Sequence, residues 1–412
     1  MTESRPEPLD LPPQGRADAE RFVSDHLGDV VCDEICGSES IRGGQQAADS
    51  ALEAFDVAGY AARRNEVHPT TRRGASGLSP WIRHGLLPLP RVWNAAQGPA
   101  RDVRKFRDEL LWQEYARHWY ARLGSRTSMG VRRELAGAAD GDSGTNEWDR
   151  SLACVDLALS ELETDGWLVN QTRMWLSSHW SVRMKQPWPP GEDHFFAHLL
   201  DGSRAANRLG WQWTTGVGSS KSYGFSRWQV EKRAPGLCDG CVHRNSCPIQ
   251  DWPEDPQWLF VDKPAADASA TMREGPRSVE QSGPPEYVWL TGESLSDDDP
   301  ALRANPNLPA VFVFDLPLLK TLQLSSKRLV FLVETLAELA GRRDVEVYAG
   351  DPVSVMGAFP VAVTHAPVPG FVHRVGPMSA VEVHPWPWLV QPSGGSVASF
   401  SAWRRSVNEP VG

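Results

Sequence analysis

Three cysteines in the segment LCDGCVHRNSCP follow the pattern C-x2-C-x5-C: Cys238, Cys241 and Cys247. Two thiolates two residues apart can bind one metal within a tight turn, and a third nearby leaves one ligand to come from elsewhere. Zinc and iron–sulfur clusters both accept four thiolates, so the spacing predicts a metal centre without choosing between them. The other three cysteines are Cys32, Cys36 and Cys154. We interpret Cys32 and Cys36, which could share a helix face, as free thiols.

A carboxylate and an indole form a second candidate for chemistry. Apolar residues recur at helical spacing between Phe106 and Leu123, so this segment is predicted to be a helix. Its apolar stripe comprises Leu111, Tyr115, Trp119 and Leu123. Glu109 and Trp112 are spaced i and i+3 on another face, and their side chains should therefore project together.

Composition limits the class of protein. With 412 residues and 41% hydrophobic content, the chain can bury a large core and is long enough for two domains. No run approaches 18 apolar residues and the N-terminus is polar, which predicts neither a membrane span nor a signal peptide, and hence a cytoplasmic protein. The 18 tryptophans suit a core, stacking on flat ligands, or electron transfer between indoles.

The charge is uneven. The net charge of −10 argues against a protein that is basic throughout. The segment from Ala61 to Glu134, however, contains 15 Arg and Lys residues and only 6 Asp and Glu residues, a local net charge of +9. This excess fits either a phosphate-binding surface or ordinary solvated helix faces.

The patterns divide the chain into four stretches. Residues 1–16 are polar and proline-rich and are predicted to be disordered, and 17–260 are mainly helical. Residues 261–286 are rich in Pro, Ala, Ser and charge and are predicted to be a linker. Residues 287–412 are predicted to form an α/β domain. Its predicted elements are strands at Tyr287–Leu290, Ala310–Phe314 and Val345–Tyr348 and a helix between Ser325 and Gly341.

Several motifs in the helical part resemble, in order, the FAD-binding domain of the photolyase–cryptochrome family. GASGLSPWIRHG, residues 74–85, is similar to the family's pyrophosphate-binding loop. LLDGSRAANRLGWQW, residues 199–213, is similar to the family's L-I-D-G-D-x-A-x-N-x-x-G-W-Q-W motif beside the flavin. The resemblance implies FAD as cofactor, bound by Tyr60, Ala75, Ser76, Leu78, Ser79, Arg173, Asp201, Ser203 and Asn207.

Within that set, the resemblance implies individual roles. Arg173, in GWLVNQTRM, would pair with Asp201 beside the isoalloxazine, and Asn207 would face flavin N5. Ser203 stands where the family has an Asp, and Ala75 where it usually has a Thr.

The catalytic residues are also implied by the resemblance. ELLWQEY, residues 109–115, resembles the family's E-L-x-W-R-E-F/Y, in which the Glu hydrogen-bonds a pyrimidine dimer and the Trp stacks on it. These positions are Glu109 and Trp112, while Gln113 replaces an Arg that helps to hold DNA. The other implied catalytic residues are Asn170, in a motif altered at Val169 and Gln171, and the electron-transfer tryptophans Trp188 and Trp211.

The cysteine pattern resembles the cluster-binding segment of the iron–sulfur bacterial cryptochromes and photolyases. Their fourth cysteine precedes the segment that GWLVNQTRM resembles, and Cys154 occupies that place. The resemblance therefore favours a [4Fe–4S] cluster over zinc, with the ligands Cys154, Cys238, Cys241 and Cys247.

The order of the two domains is unusual for this family, in which the α/β antenna domain comes first. Residues 285–305 resemble the beginning of that domain and residues 399–407 its end. The sequence thus predicts a mainly helical FAD-binding domain followed by a Rossmann-like parallel α/β domain, in circularly permuted order. The family's arginines are missing near Thr291–Glu293, so we expect no tightly bound antenna pigment.

The function implied is that of a monomeric photolyase-like flavoprotein acting on UV-damaged DNA. Reduced FAD, excited by light, would give an electron to a pyrimidine dimer. The substitutions at Gln113, Val169, Gln171 and Ser203 leave open a cryptochrome-like photoreceptor or another flavin redox protein without repair activity. A zinc-bearing interaction module without flavin is a third possibility.

Overall fold

The computed structural model describes residues 6–136, 147–253, 259–262, 273–357, 359–368, 370–407 and 410. Between residues 16 and 233 the described chain is mainly helical, as the sequence predicts. Its α-helices are α1 (Arg16–Leu27), α2 (Gln45–Ala54), α3 (Tyr60–Arg63), α4 (Ser79–Arg83), α5 (Leu89–Ala95), α6 (Ala100–Leu123), α7 (Ala153–Asp165), α8 (Asn170–Ser178), α9 (Trp188–His198), α10 (Arg204–Thr215) and α11 (Arg227–Arg233). Two short strands, β1 (Arg133–Ala136) and β2 (Leu259–Asp262), pair antiparallel.

Helix α6 confirms the prediction from periodicity and positions two candidate site residues. It starts after Pro99 and ends at Gly124, whose φ of 56° favours a residue without a side chain. The four residues of the predicted apolar stripe are all buried. That face packs into the core, so the face that carries Glu109 and Trp112 is turned partly outward.

The C-terminal part is a parallel α/β sheet with helices, as predicted. Its strands are β3 (Glu280–Gln281), β4 (Tyr287–Leu290), β5 (Ala310–Asp315), β6 (Val345–Gly350), β7 (Val361–Thr364) and β8 (Ala380–His384). Its helices are α12 (Pro300–Ala304), α13 (Leu316–Leu322), α14 (Ser326–Ala340), α15 (Pro352–Met356), α16 (Phe371–Val375) and α17 (Phe400–Ser406). The order β3-β8-β7-β4-β5-β6 places the first parallel strand between the second and the fourth, which is the doubly wound arrangement.

The residues of β5 and its strand pairing both fit a central position in the sheet. β5 (AVFVFD) is buried along almost its whole length, which is typical of a central strand covered by helices on both faces. It pairs parallel with β4 on one side and with β6 on the other. β3 lies within the predicted linker and pairs antiparallel with β8, while residues 263–272 of that linker are outside the described residues.

The helical part and the α/β part share one hydrophobic core. Helix α1 packs along α14 through buried Phe22 and Val23, which join a cluster that also contains residues of the sheet. The Arg16 Nε donates to Glu334 Oε1 at 2.7 Å across the same boundary. Leu9, within the stretch predicted to be disordered, donates its backbone N–H to the Val347 carbonyl of β6 at 2.7 Å.

Two smaller findings complete the fold. Cys32 and Cys36 lie in a loop rather than on a helix, so the idea that they share a helix face is wrong; the turn after α1 ends the helical pattern before Cys32. In the described residues, no helix combines the length and apolarity needed to cross a membrane.

Candidate functional site

An ion pair and two unsatisfied polar atoms mark the centre of the candidate site. Arg173 Nη2 of α8 lies 2.8 Å from Asp201 Oδ2, in the turn between α9 and α10. Asp201 Oδ1 and Asn207 Nδ2 are both buried and make no hydrogen bond within the described chain. Because burying an unpartnered polar atom costs about 1–3 kcal/mol, this arrangement favours a bound ligand that supplies the missing partners.

Ser203 has a structural role in this segment. It is the N-cap of α10, and its side chain accepts a hydrogen bond from the Ala206 backbone N–H at 3.5 Å. The cap fixes the start of the helix that carries Asn207. The Asn207 backbone N–H also donates a hydrogen bond to the Ser203 carbonyl at 2.8 Å.

The predicted pyrophosphate loop is an irregular segment that enters the five-residue helix α4. Ala75 and Ser76 are half-buried, whereas Leu78 is buried completely. The Ser76 Oγ accepts a long hydrogen bond from the Leu78 N–H, 3.5 Å between N and O. The Ser79 Oγ accepts from the Trp167 indole N–H at 3.0 Å, which ties the loop to the segment before α8.

Tyr60 and Glu109 lie close to one another, with two cations nearby. Burial raises the pKa of the Tyr60 hydroxyl, and the Glu109 charge raises it further. The Glu109 Oε1 is 2.7 Å from Lys105 Nζ and 3.2 Å from Arg64 Nε. The two cations orient this partly exposed carboxylate, and they add positive potential at this face of α6.

Trp112 is the predicted site residue whose surroundings differ most from the expectation. The ring of Phe400, from α17, stacks on its indole with 4.0 Å between ring centroids and an interplanar angle of 11°. Tyr115 packs edge-on against both rings, at 5.9 Å from Trp112 and 5.8 Å from Phe400. One face of the Trp112 indole is therefore covered by the chain itself.

The other predicted catalytic residues are divided between the surface and the interior. Asn170 is exposed at the start of α8, and its Nδ2 lies 3.6 Å from Met174 Sδ. Trp188 and Trp211 are both buried. A Cβ added at Gly191 would overlap the Trp211 ring, so this glycine lets α9 approach the indole closely.

The helical part has recognisable relatives. Residues 106–234 match the family described as the FAD binding domain of DNA photolyase. This segment is similar to a photolyase FAD-binding domain. It includes Arg173, Asp201 and Asn207, the residues that form the ion pair and carry the unsatisfied atoms, and it supports FAD as the cofactor.

Curated photolyases match the chain over part of its length. The deoxyribodipyrimidine photo-lyase of a Thermus thermophilus strain is 30% identical over 181 residues, 42% of this chain and 43% of the relative. That of a Synechococcus strain is 29% identical over 200 residues, 44% of this chain and 40% of the relative. The chain thus spans under half the length of each of these two relatives.

Two solved structures are similar at low identity. A class III photolyase from Agrobacterium tumefaciens is 22% identical, with a TM-score of 0.38, over 56% of this chain and 48% of that one. A Synechocystis sp. PCC6803 cryptochrome is 19% identical, with a TM-score of 0.40, over 48% of this chain and 44% of that one.

The four predicted cluster cysteines lie near one another, Cys154 within this photolyase-like segment and the other three after its end. Cys154 is buried near the start of α7, and Cys238 and Cys247 pack against the same hydrophobic cluster. Burial raises the pKa of the Cys154 thiol to about 12, and the charges of the other three thiols add to the increase. Four thiols are a donor set that suits a metal, since a cation would offset their mutual repulsion once they are ionised.

The structure adds three residues to the site that the sequence did not indicate. Arg64 and Lys105 bind Glu109, and Phe400 covers Trp112. Lys105 is four residues before Glu109 on a predicted helix, so the i, i+4 spacing was a usable signal. Arg64 and Phe400 had none, because tertiary packing alone brings them to α6.

Proposed function

We propose that this chain is a photolyase-like flavoprotein that binds FAD in its helical part and uses light to repair pyrimidine dimers in DNA. The observation that carries the proposal is the pair of buried unsatisfied atoms, Asp201 Oδ1 and Asn207 Nδ2, beside the Arg173–Asp201 ion pair. They occur within the segment similar to a photolyase FAD-binding domain. A polar planar ligand at this place would satisfy both atoms.

The residues fit FAD in the following way. Asn207 and the Arg173–Asp201 pair would face the isoalloxazine. The remaining holders would be Tyr60, Ala75, Ser76, Leu78 and Ser79 along the loop and Ser203 at the start of α10. When bound, FAD supplies blue-light absorption and a donor of one electron. The buried indoles of Trp188 and Trp211 would pass electrons towards it.

The work of the chain's own residues is to hold the lesion. A flipped dimer would enter the pocket at α6, as in other enzymes that act on extruded bases. There Glu109, oriented by Arg64 and Lys105, would accept hydrogen bonds from the N–H groups of the flipped bases, and Trp112 would offer a stacking surface. Asn170, exposed at the start of α8, would lie at the substrate side.

The second cofactor in this proposal is a [4Fe–4S] cluster on Cys154, Cys238, Cys241 and Cys247. A single zinc ion with Zn–S bonds of about 2.3 Å would hold four thiolates roughly 3.8 Å apart. Among the described residues, no three of these thiols lie within 4.8 Å of one another. The choice of a cluster over zinc rests on the resemblance of the cysteine pattern to that of the iron–sulfur bacterial cryptochromes and photolyases.

We also propose that the chain is a circular permutant with no tightly bound antenna pigment. The helical part precedes the doubly wound sheet, and the Glu293 carboxylate of the β4–α12 turn pairs with Arg83 at 2.8 Å. The cavity at this junction is lined by Arg117, Glu293 and Trp386 among others. The arginines of the family's antenna domain are missing near Thr291–Glu293, so we expect no tightly bound pigment. A cytoplasmic monomer remains the expected state.

A second candidate function is a light sensor, or another flavin redox protein, without repair activity. The observation that favours it is the stacking of Phe400 on Trp112, which covers one face that a lesion could use. Gln113 adds to this interpretation, because it removes a charge from the same helix.

Absorption and repair assays test the proposal. Purified protein should show flavin bands with a broad shoulder in the blue, and a colourless protein would contradict it. The reduced protein should restore dimer-containing oligonucleotides under blue light. Glu109→Gln should slow repair by roughly tenfold or more, since a hydrogen bond to a charged group contributes about 1.5–3 kcal/mol. Asp108→Asn, an exposed carboxylate on the same helix, is the matched control. Flavin without repair of cyclobutane or (6–4) lesions would leave the sensor function.

A further inference from the structure

Two segments that are distant in sequence bring a thiol, a carboxylate and an imidazole together at the boundary between the helical and α/β parts. Cys32 Sγ lies 3.9 Å from His198 Nε2, and His198 Nδ1 lies 4.0 Å from Asp33 Oδ2. One ligand atom from each residue lies within 4.8 Å of the other two. We propose that Cys32, Asp33 and His198 bind a single divalent transition-metal ion of the zinc class, with water as the fourth ligand.

The donor set and its dimensions suit such an ion. In a tetrahedral zinc site, sulfur and nitrogen ligands lie roughly 3.5 Å apart and nitrogen and oxygen ligands roughly 3.3 Å apart. One ligand atom per residue lies within 4.8 Å of the others, so each separation needs to shrink by at most about 1.5 Å, which side-chain rotation can supply. Cys32 is in a loop and exposed, so an ion can reach it. A thiolate ligand favours zinc over magnesium or calcium, which prefer oxygen.

The imidazole is prepared to bind a cation. Burial lowers the pKa of His198, with the Asp33 charge acting against this shift and the Lys327 charge acting with it. Its Nδ1 is buried and makes no hydrogen bond within the described chain. His198 is also the last residue of the 11-residue helix α9, whose C-terminal carbonyls favour positive charge. The ring of His194, 4.4 Å away between centroids, packs against it.

The Asp33 carboxylate is held in place by Ser325, Ser326 and Lys327, at the start of α14. Asp33 accepts hydrogen bonds from the Ser325 hydroxyl at 2.6 Å and from the Ser326 N–H at 2.7 Å. The Lys327 ammonium lies 3.0 Å from the same carboxylate. Such contacts orient a metal ligand. Ser325 and Lys327 both bind Oδ2 and Ser326 binds Oδ1, so one lone pair remains free, on Oδ1.

The geometry argues against a nucleophilic triad. Thiol, imidazole and carboxylate in this order resemble one. In a triad the carboxylate orients the imidazole by a hydrogen bond, whereas Asp33 Oδ2 lies 4.0 Å from His198 Nδ1, beyond hydrogen-bond distance. Binding of the ion would form a metal–sulfur bond and release the thiol proton to solvent, with no change of oxidation state.

Metal content and cobalt spectroscopy test the site in the whole protein. After incubation with zinc and gel filtration, wild type should retain one zinc per chain. Cys32→Ser and His198→Gln should bind zinc roughly tenfold or more weakly. Cys36→Ser, which changes a thiol of the same loop outside the triad, should retain it. Cobalt should give a thiolate charge-transfer band in wild type and in Cys36→Ser but not in Cys32→Ser.

A further variant separates this site from the cluster cysteines. Cys154→Ser should lower iron and leave the bound zinc unchanged. Zinc that persists in Cys32→Ser and disappears in Cys154→Ser would belong to the other four cysteines and would overturn the proposal. Equal zinc binding by wild type and Cys32→Ser, or a Cys32–Cys36 disulfide in freshly purified protein that excludes zinc, would overturn it as well.

Discussion

Replacing Phe400 by alanine should tighten the binding of damaged DNA. In the structure the Phe400 ring lies parallel to the Trp112 indole, 4.0 Å between centroids. A flipped pyrimidine dimer that stacks on this face of Trp112 must first displace Phe400. The proposed repair function therefore has a competitor built into α17, and removing its ring should favour the lesion.

The size of the effect follows from the two stacking energies. An aromatic pair contributes about 0.5–1.5 kcal/mol beyond the area it buries, and stacking of a base on an aromatic side chain contributes about 1–3 kcal/mol. A lesion that binds wild type must break the Phe400–Trp112 stack, and Phe400→Ala removes this cost of about 0.5–1.5 kcal/mol. The Kd for the lesion should therefore fall by about 2- to 12-fold. Phe400 is only half-buried, and the buried Trp403 still anchors α17, so the loss of stability should stay at about 2 kcal/mol or less.

The assay is fluorescence anisotropy in the dark with a single-stranded oligonucleotide that carries one cyclobutane dimer, at one fixed salt concentration. Phe400→Tyr keeps the stack and is the matched control, with affinity expected near wild type. In a Trp112→Ala background, Phe400→Ala should have no effect on affinity. Equal affinities of wild type and Phe400→Ala, or a gain that persists without Trp112, would refute the reasoning.

Further variants address the metal centre, the flavin pocket and a buried acid. Cys238→Ser should lose iron and solubility together and Cys154→Ser should lose iron, whereas Cys36→Ser should keep both properties; full iron in the first two variants would remove the cluster assignment. Asn207→Ala should weaken FAD retention on gel filtration at least about fivefold, because the flavin loses the hydrogen bond of the buried Asn207 amide. Unchanged retention would place the flavin elsewhere. Burial raises the pKa of Glu192 to about 7, from 4.5, despite two arginines nearby. The stabilisation from the protonated Glu192 is thus present below pH 4.5 and is lost as the pH rises to about 7. The free energy of unfolding of wild type, measured in urea, should therefore fall over this range by up to roughly 3 kcal/mol relative to Glu192→Gln. Parallel pH profiles of the two proteins would contradict this.

The sequence was sufficient for the elements with strong patterns. The runs that became β4, β5 and β6 and the periodic stripes that became α6 and α14 were all predicted, because burial imposes periods of two or 3.6 residues. The two-residue strand β3 was missed, since Glu280 and Gln281 are polar and exposed and pair only through their backbone. Cys32 and Cys36 were compatible with a helix face, but a four-residue spacing does not reveal that the chain has already turned.

The sequence was sufficient to identify candidate site residues, but it did not predict which residues surround them in the fold. The motif that contains Asp201 and Asn207 indicated a ligand, and the structure shows two buried atoms without partners there. The stacking of Phe400 on Trp112 could not be derived, because no local pattern links residues that are almost three hundred positions apart. The same holds for His198 and Asp33, which only the folded chain brings together.

The packing of α1 against α14 has a consequence for how this protein is made. The bond between Arg16 and Glu334 joins residues 318 positions apart. At 5–20 residues per second, a ribosome would need roughly 15–60 s to synthesise the stretch between them. During that time the apolar side of α1, with Phe22 and Leu27, has no partner to cover it. We therefore expect the nascent chain to depend on chaperones that shield its first helix, and the final fold to close only after translation is nearly complete.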